Sequence, residues 1–101
     1  MEITTKCAER CLTIYLKGEL DHHGAQGLIR QLEREIEISL PWKLILDFSG
    51  VTFMDSSGIA VAVRARQRVR ELGGTIRLEK MAPQIRKVFH AAALDKLMEM
   101  D

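Results

Sequence analysis

At 101 residues the chain has room for one domain built around a single hydrophobic core. Its 47% hydrophobic and 29% charged residues are ordinary for a globular protein. The 15 basic and 14 acidic side chains leave a formal charge of +1, without the clustered excess of Lys and Arg that nucleic-acid binding needs.

No stretch approaches the roughly 18 apolar residues of a membrane span. Met1-Glu2-Ile3-Thr4-Thr5-Lys6 shows no basic start followed by an apolar run, so no secretory signal is visible. The expectation is one cytoplasmic domain, residues 1–101, with neither nucleic acid nor membrane as a partner.

Ile3 to Cys7 reads as a short strand and Ala8-Glu9-Arg10 as a turn. Cys11 to Lys17 reads as a half-buried strand, because Leu12, Ile14 and Leu16 alternate onto one face. The two cysteines, Cys7 and Cys11, could face each other across this hairpin. Their spacing is too wide for a Cys-x-x-Cys redox pair, and no second Cys/His cluster completes a zinc site. Reduced, half-buried thiols are expected. Gly18 ends the strand, and Asp21 is a good N-cap for a helix whose apolar positions are Ala25, Leu28, Ile29, Leu32, Ile36 and Leu40. Pro41 stops it.

Trp42 to Phe48 is mostly apolar on both faces, as in a central strand covered by helices on at least one side. Ser49-Gly50 reads as a turn into Val51-Thr52-Phe53-Met54-Asp55-Ser56-Ser57-Gly58-Ile59. Asp-Ser-Ser before an apolar-periodic run is a helix-start signal, since these side chains accept from unpaired first-turn N–H groups. Ile59, Ala62, Ala65, Val69 and Leu72 make the apolar face of that helix, and Gly73-Gly74 ends it. Thr75 to Glu79 alternates as a fourth strand. Ala82-Pro83 opens a helix with Ile85, Val88, Phe89 and Ala92 inward, and Leu94, Leu97 and Met98 tuck back onto the body.

The order β-β-α-β-α-β-α predicts an α/β domain with a mixed sheet of about four strands: a hairpin, then right-handed crossovers. Sites in such sheets lie beyond the carboxyl ends of the strands, which places Asp21 and Ser57 on the same end.

Candidate chemistry is sparse. Ser57 lacks the Gly-x-Ser-x-Gly elbow, although His22 could approach it and form a Ser-His pair. His22 and His23 diverge by about 100° on a helix and do not converge on a metal. No Gly-rich phosphate cradle is present, so no cofactor, metal or catalytic residue is expected. If Asp55 or Ser56 caps the helix, Ser57 is left in the first turn with its hydroxyl outward, where a phosphate is tolerated by the helix dipole. Ser57, Ala60, Val61, Arg64 and Arg68 fall within about 100° of arc by helical arithmetic. That strip is readable either as a protein-docking surface or as a plain exposed face.

Gly18-Glu19-Leu20-Asp21-His22-His23 together with Phe53-Met54-Asp55-Ser56-Ser57-Gly58 resembles the STAS family. Within it, the likeness is to anti-sigma factor antagonists of endospore-forming bacteria, on the sporulation branch that controls sigma F. Pro83 to Phe89 resembles that family's third helix. The resemblance implies a partner-switching regulator with no catalysis of its own, in which Ser57 is phosphorylated and Asp21, with Asp55 and Ser56, lies near it. The unphosphorylated form would bind an anti-sigma factor that is also an ATP-using serine kinase, freeing the sigma factor. Phosphorylation would break that complex, and a metal-dependent serine phosphatase would reset it. With Asp21 and His22 beside it, the strip of Ser57, Ala60, Val61, Arg64 and Arg68 is the expected partner interface. Ala93 stands where such relatives often have glycine, and they continue through another helix beyond the position of Asp101. The alternatives are a STAS accessory subunit of a transporter or other signalling assembly, and a small serine hydrolase using Ser57 and His22.

Overall fold

The two N-terminal runs form the expected hairpin. In the computed structural model, which describes residues 1–101, β1 (Glu2–Ala8) pairs antiparallel with β2 (Cys11–Leu20). Glu9 and Arg10 make the two-residue turn, both with positive φ (53° and 63°), the backbone that matches the twist of a tight hairpin. The register sets Cys7 opposite Leu12 and Cys11 opposite Ala8, so the thiols point to opposite faces. Both are free, and Cys7 is exposed where a half-buried thiol was expected.

The remaining elements are α1 (His22–Ser39), β3 (Lys43–Met54), α2 (Ser57–Glu71), β4 (Thr75–Glu79), α3 (Pro83–Ala91), a 3-10 turn (Leu94–Lys96) and β5 (Glu99–Met100). The sheet has five strands, one more than expected, in the order β1-β2-β3-β4-β5. The extra strand is the two-residue β5, too short to show a periodicity. β2, β3, β4 and β5 run parallel. Because strands joined by α1, α2 and α3 are laid down in sequence order, right-handed crossovers carry all three helices over the same face. That face is the core: Leu12, Ile14 and Leu16 of β2, Leu44, Leu46 and Phe48 of β3, and Leu78 of β4 are almost fully buried there. Phe48 meets Phe89 of α3 edge to face, with ring centroids 5.5 Å apart.

Two strand boundaries differ from the sequence reading. β2 continues through Gly18 to Leu20, paired with β3 as Gly18–Val51, Glu19–Phe53 and Leu20–Met54. β3 does not turn at Ser49-Gly50. Between the pairs Tyr15–Asp47 and Lys17–Gly50, β3 carries one more residue than β2, and it gains another between Gly18–Val51 and Glu19–Phe53. These are bulges in a continuous strand. The first is held by the buried Asp47 (3% exposed), whose Oδ1 accepts from the Ser49 amide (2.9 Å) and the Ser49 hydroxyl (2.6 Å). Turn-forming residues and bulge-forming residues are the same types, which is why the sequence reads as a turn.

At Gly50 the neighbouring strand comes too close for a side chain: a Cβ would lie 2.7 Å from the Leu16 carbonyl oxygen. At Ala93 the reverse holds, since the chain enters the 3-10 turn with φ 59° and ψ 28°, the left-handed region that favours glycine. Gly50→Ala should therefore destabilise the domain by about 1–3 kcal/mol. Ala93→Gly should stabilise it by about 0.5–1 kcal/mol. Urea denaturation midpoints at constant m-value check both.

Candidate functional site

β2 and β3 lie side by side and parallel, and their carboxyl ends finish level at Leu20 and Met54. Each strand then feeds a helix after one or two residues, so the amino termini of α1 and α2 emerge next to each other. The Asp55 amide donates to the Leu20 carbonyl oxygen at 3.2 Å and staples the two loops together.

Asp21 caps α1 as its residue type and position suggest. Its backbone is extended (φ −114°, ψ −179°) and its Oδ1 accepts from the Gly24 amide at 2.9 Å. At α2 the capping group is Asp55, not Ser56. Asp55 Oδ1 accepts from the Ser57 amide at 2.8 Å, and the Asp55 carbonyl accepts from the Gly58 amide at 3.1 Å. Ser56 already has helical angles (φ −64°, ψ −13°), and its side chain makes no capping bond. Ser57 is thus the first helical residue, half-buried.

The Asp55 carboxyl is held below its ordinary value of 3.8. The Ser57 amide does most of this, against a burial cost, and the Ser57 hydroxyl, the His22 amide and the His22 ring charge add to it. Asp21 is half-buried alongside. His22 is exposed, with its ring edge-on to His23 (centroids 6.1 Å apart) and no hydrogen bond to Ser57. The group beside the serine is a carboxylate.

Gly58 seats this helix start on the end of β3. Met54, nearly buried, lies across it, so a Cβ there would fall 2.7 Å from Met54 Cγ. The second bulge in β3 is what turns Met54 inward and leaves the Phe53 ring 50% exposed at the same end. The exposure of Phe53 has no sign in the sequence, where it sits in an apolar run that looks like buried strand.

The predicted strip on α2 needs correction. The buried face is Gly58, Val61, Ala62, Ala65 and Val69. Val61 is 1% exposed and belongs to the core, whereas Ile59 is half-buried and Leu72, past the end of the helix, is 45% exposed. The burial face is rotated because α1 packs beside α2 as well as the sheet beneath it, which a single-helix pattern does not reveal. The exposed residues are Ser56, Ala60, Val63, Arg64, Gln67, Arg70 and Glu71.

Arg64 and Arg68 point toward α1, where Glu33 receives both: Arg64 Nη2 at 3.0 Å and Arg68 Nε at 3.1 Å. Arg68 also lies 3.5 Å from Glu37 and 3.7 Å from Glu71. Burial works to raise the Glu33 pKa, but the two arginines outweigh it and hold the carboxyl below its ordinary 4.5. Arg64 and Arg68 are therefore partly spent on clamping the helices. Glu33 lies on the polar face of α1, with no local sign of its partners.

A family model described as the STAS domain matches residues 2–101. The chain is 30% identical over 87 residues to an anti-sigma F factor antagonist of Lysinibacillus sphaericus, covering 86% of this chain and 74% of that one. The solved structure of the anti-sigma factor antagonist SpoIIAA in its unphosphorylated form superposes with a TM-score of 0.83 at 27% identity, over 99% of this chain and 88% of the other. That of the Bacillus cell fate determinant SpoIIAA in the phosphorylated form gives 0.74 at 27% identity, over 99% and 91%.

Glu33 and Asp55 both have lowered folded-state pKa values, so their contributions to stability are complete above the ordinary values of 4.5 and 3.8 and are lost as pH falls through the folded values. Stability should drop across that acid window. Glu33→Gln should lower the urea midpoint at pH 7 and shrink the drop, as read from denaturation curves between pH 7 and pH 3.

Proposed function

The chain belongs to the STAS family, and from that premise we propose that it is an anti-sigma factor antagonist switched by phosphorylation of Ser57. The unphosphorylated protein binds an anti-sigma factor that is also a serine kinase and so frees the sigma factor. The kinase, with ATP bound to itself, phosphorylates Ser57 and loses its hold. A metal-dependent serine phosphatase returns the protein to its binding form. The setting is the cytoplasm; no helix of the structure is long and apolar enough to cross a membrane.

The observation that carries this reading is the placement of Ser57: first residue of α2, half-buried, with the ionised Asp55 bonded to its own amide. A phosphate there adds about −1.5 to −2 charges. The positive end of α2 tolerates them, so the fold persists. A partner seated over Ser57, Ala60 and the neighbouring Asp21 and His22 instead meets a desolvated dianion beside existing carboxylates. Reversing a binding equilibrium from 99:1 to 1:99 takes ~5.5 kcal/mol, a scale that one buried, unpaired phosphate can reach. The likeness to SpoIIAA, solved in unphosphorylated and phosphorylated forms, supports the same reading.

Incubation with the anti-sigma kinase and ATP should add one phosphate, mapped by mass spectrometry to Ser57. Ser57→Ala should bind the kinase as the unmodified protein does and accept no phosphate. The phosphorylated protein should bind at least about 100-fold more weakly, ~2.7 kcal/mol. Undiminished binding by the phosphoprotein would overturn the switch.

A further inference from the structure

Arg66 and Arg70 leave α2 on the side away from α1, and neither guanidinium pairs with a carboxylate. They form one wall of a cleft of about 360 Å³ between the end of α2, the start of β4 and the 94–98 turn. Gly73 and Gly74 leave the rim without side chains. The floor is apolar, made by the buried Ile76 and Met98 with the half-exposed Leu97.

Charge in the cleft is one-sided. Its only acidic lining residue, Glu99, is bonded to Arg77 Nη1 at 2.7 Å, and nearby Glu71 faces Arg68 at 3.7 Å. Arg66 Nε donates to the Leu97 carbonyl oxygen at 3.0 Å, which holds the arginine across the cleft and leaves its two terminal nitrogens free. Arg70 makes no side-chain bond within the protein. Two guanidinium groups over an apolar floor suit an anion attached to an apolar body.

The backbone bears on which anion binds. The amides of Gly73, Gly74, Thr75, Leu97 and Met98 all donate within the fold, to Arg70, Val69, Trp42, Leu94 and Leu94 respectively. Phosphate sites commonly draw on free backbone N–H groups or a helix amino terminus, and neither these five amides nor the carboxyl end of α2 supplies one. An arginine fork takes a carboxylate or a phosphate alike, and the apolar floor beside the two forks favours a carboxylate carried on a peptide with an apolar side chain.

We propose that this cleft binds an acidic peptide segment of a partner protein, its carboxylates on Arg66 and Arg70 and an apolar side chain on the Ile76–Met98 floor. Arg70 lies thirteen residues beyond Ser57 on the same helix, about 20 Å along its axis. That is well beyond the ~8 Å screening length at physiological salt. The contact is therefore insensitive to the state of Ser57 and would keep a partner tethered through a change at the other end of the domain.

The test is a titration of the ¹⁵N-labelled full chain with the blocked peptide acetyl-Leu-Glu-Glu-Leu-Glu-amide. Saturable shift changes should be confined to residues 66–76 and 94–99, and should weaken with added salt. A peptide with glutamine in place of glutamate should leave the spectrum unchanged. Arg70→Glu, a change at an exposed side chain without internal partners, should weaken binding by about tenfold or more, while Ser57→Asp should leave it as in the wild type. Absence of saturation, an equal response to the glutamine peptide, shifts centred elsewhere, or equal displacement by inorganic phosphate would each overturn the assignment.

Discussion

The parallel pairing of β2 with β3 is the constraint on which the rest of this domain depends. It makes two strands end level, so that two helices must begin side by side, and it puts the Leu20 carbonyl where the Asp55 amide can reach it at 3.2 Å. Asp21 and Asp55 each cap the helix that follows, and each cap also brings a carboxylate to the same small area of surface. Structural necessity and candidate chemistry coincide here. The carboxylate that satisfies the Ser57 amide is the one that sets negative charge beside that serine, and the positive end of α2 favours it.

The level finish is not automatic, since β3 spends two extra residues on the way. The bulges at Asp47–Gly50 and Val51–Phe53 add bend and twist, and they decide which side chains arrive inward at the end of the strand. Met54 goes in and lies against Gly58; Phe53 goes out. The buried Asp47 carboxylate takes both donors of Ser49 and so closes the first bulge. The position of the helix start is thus set about ten residues upstream of the serine it presents.

Sequential strand order has a second consequence. With all helices on one face, α1 and α2 become neighbours, and Glu33 holds two arginines across the contact. Those arginines are accounted for. The arginines on the other flank of α2 meet no carboxylate, and Arg66 reaches only the Leu97 carbonyl oxygen. What remains is a cleft with unspent positive charge. The same helix therefore carries a neutralised flank, a packed face and a basic flank, and only its neighbours distinguish them.

Much of this was legible from residue types alone. The alternation of Leu12, Ile14 and Leu16, the helical spacing from Ala25 to Ile36, the Asp21 cap and the Asp55-Ser56-Ser57-Gly58 helix start each express a local rule, and local rules act on neighbours in the chain. The meeting of the two helix starts also followed, because the connectivity of parallel strands implies it. The bulges, the core position of Val61, the exposure of Phe53, the Glu33 clamp and the cleft at Arg66 and Arg70 did not follow. Each depends on which element lies alongside, a relation between residues tens of positions apart. Periodicity shows that a helix has an apolar side, but the packing of α1 and the sheet together decides how far round that side extends.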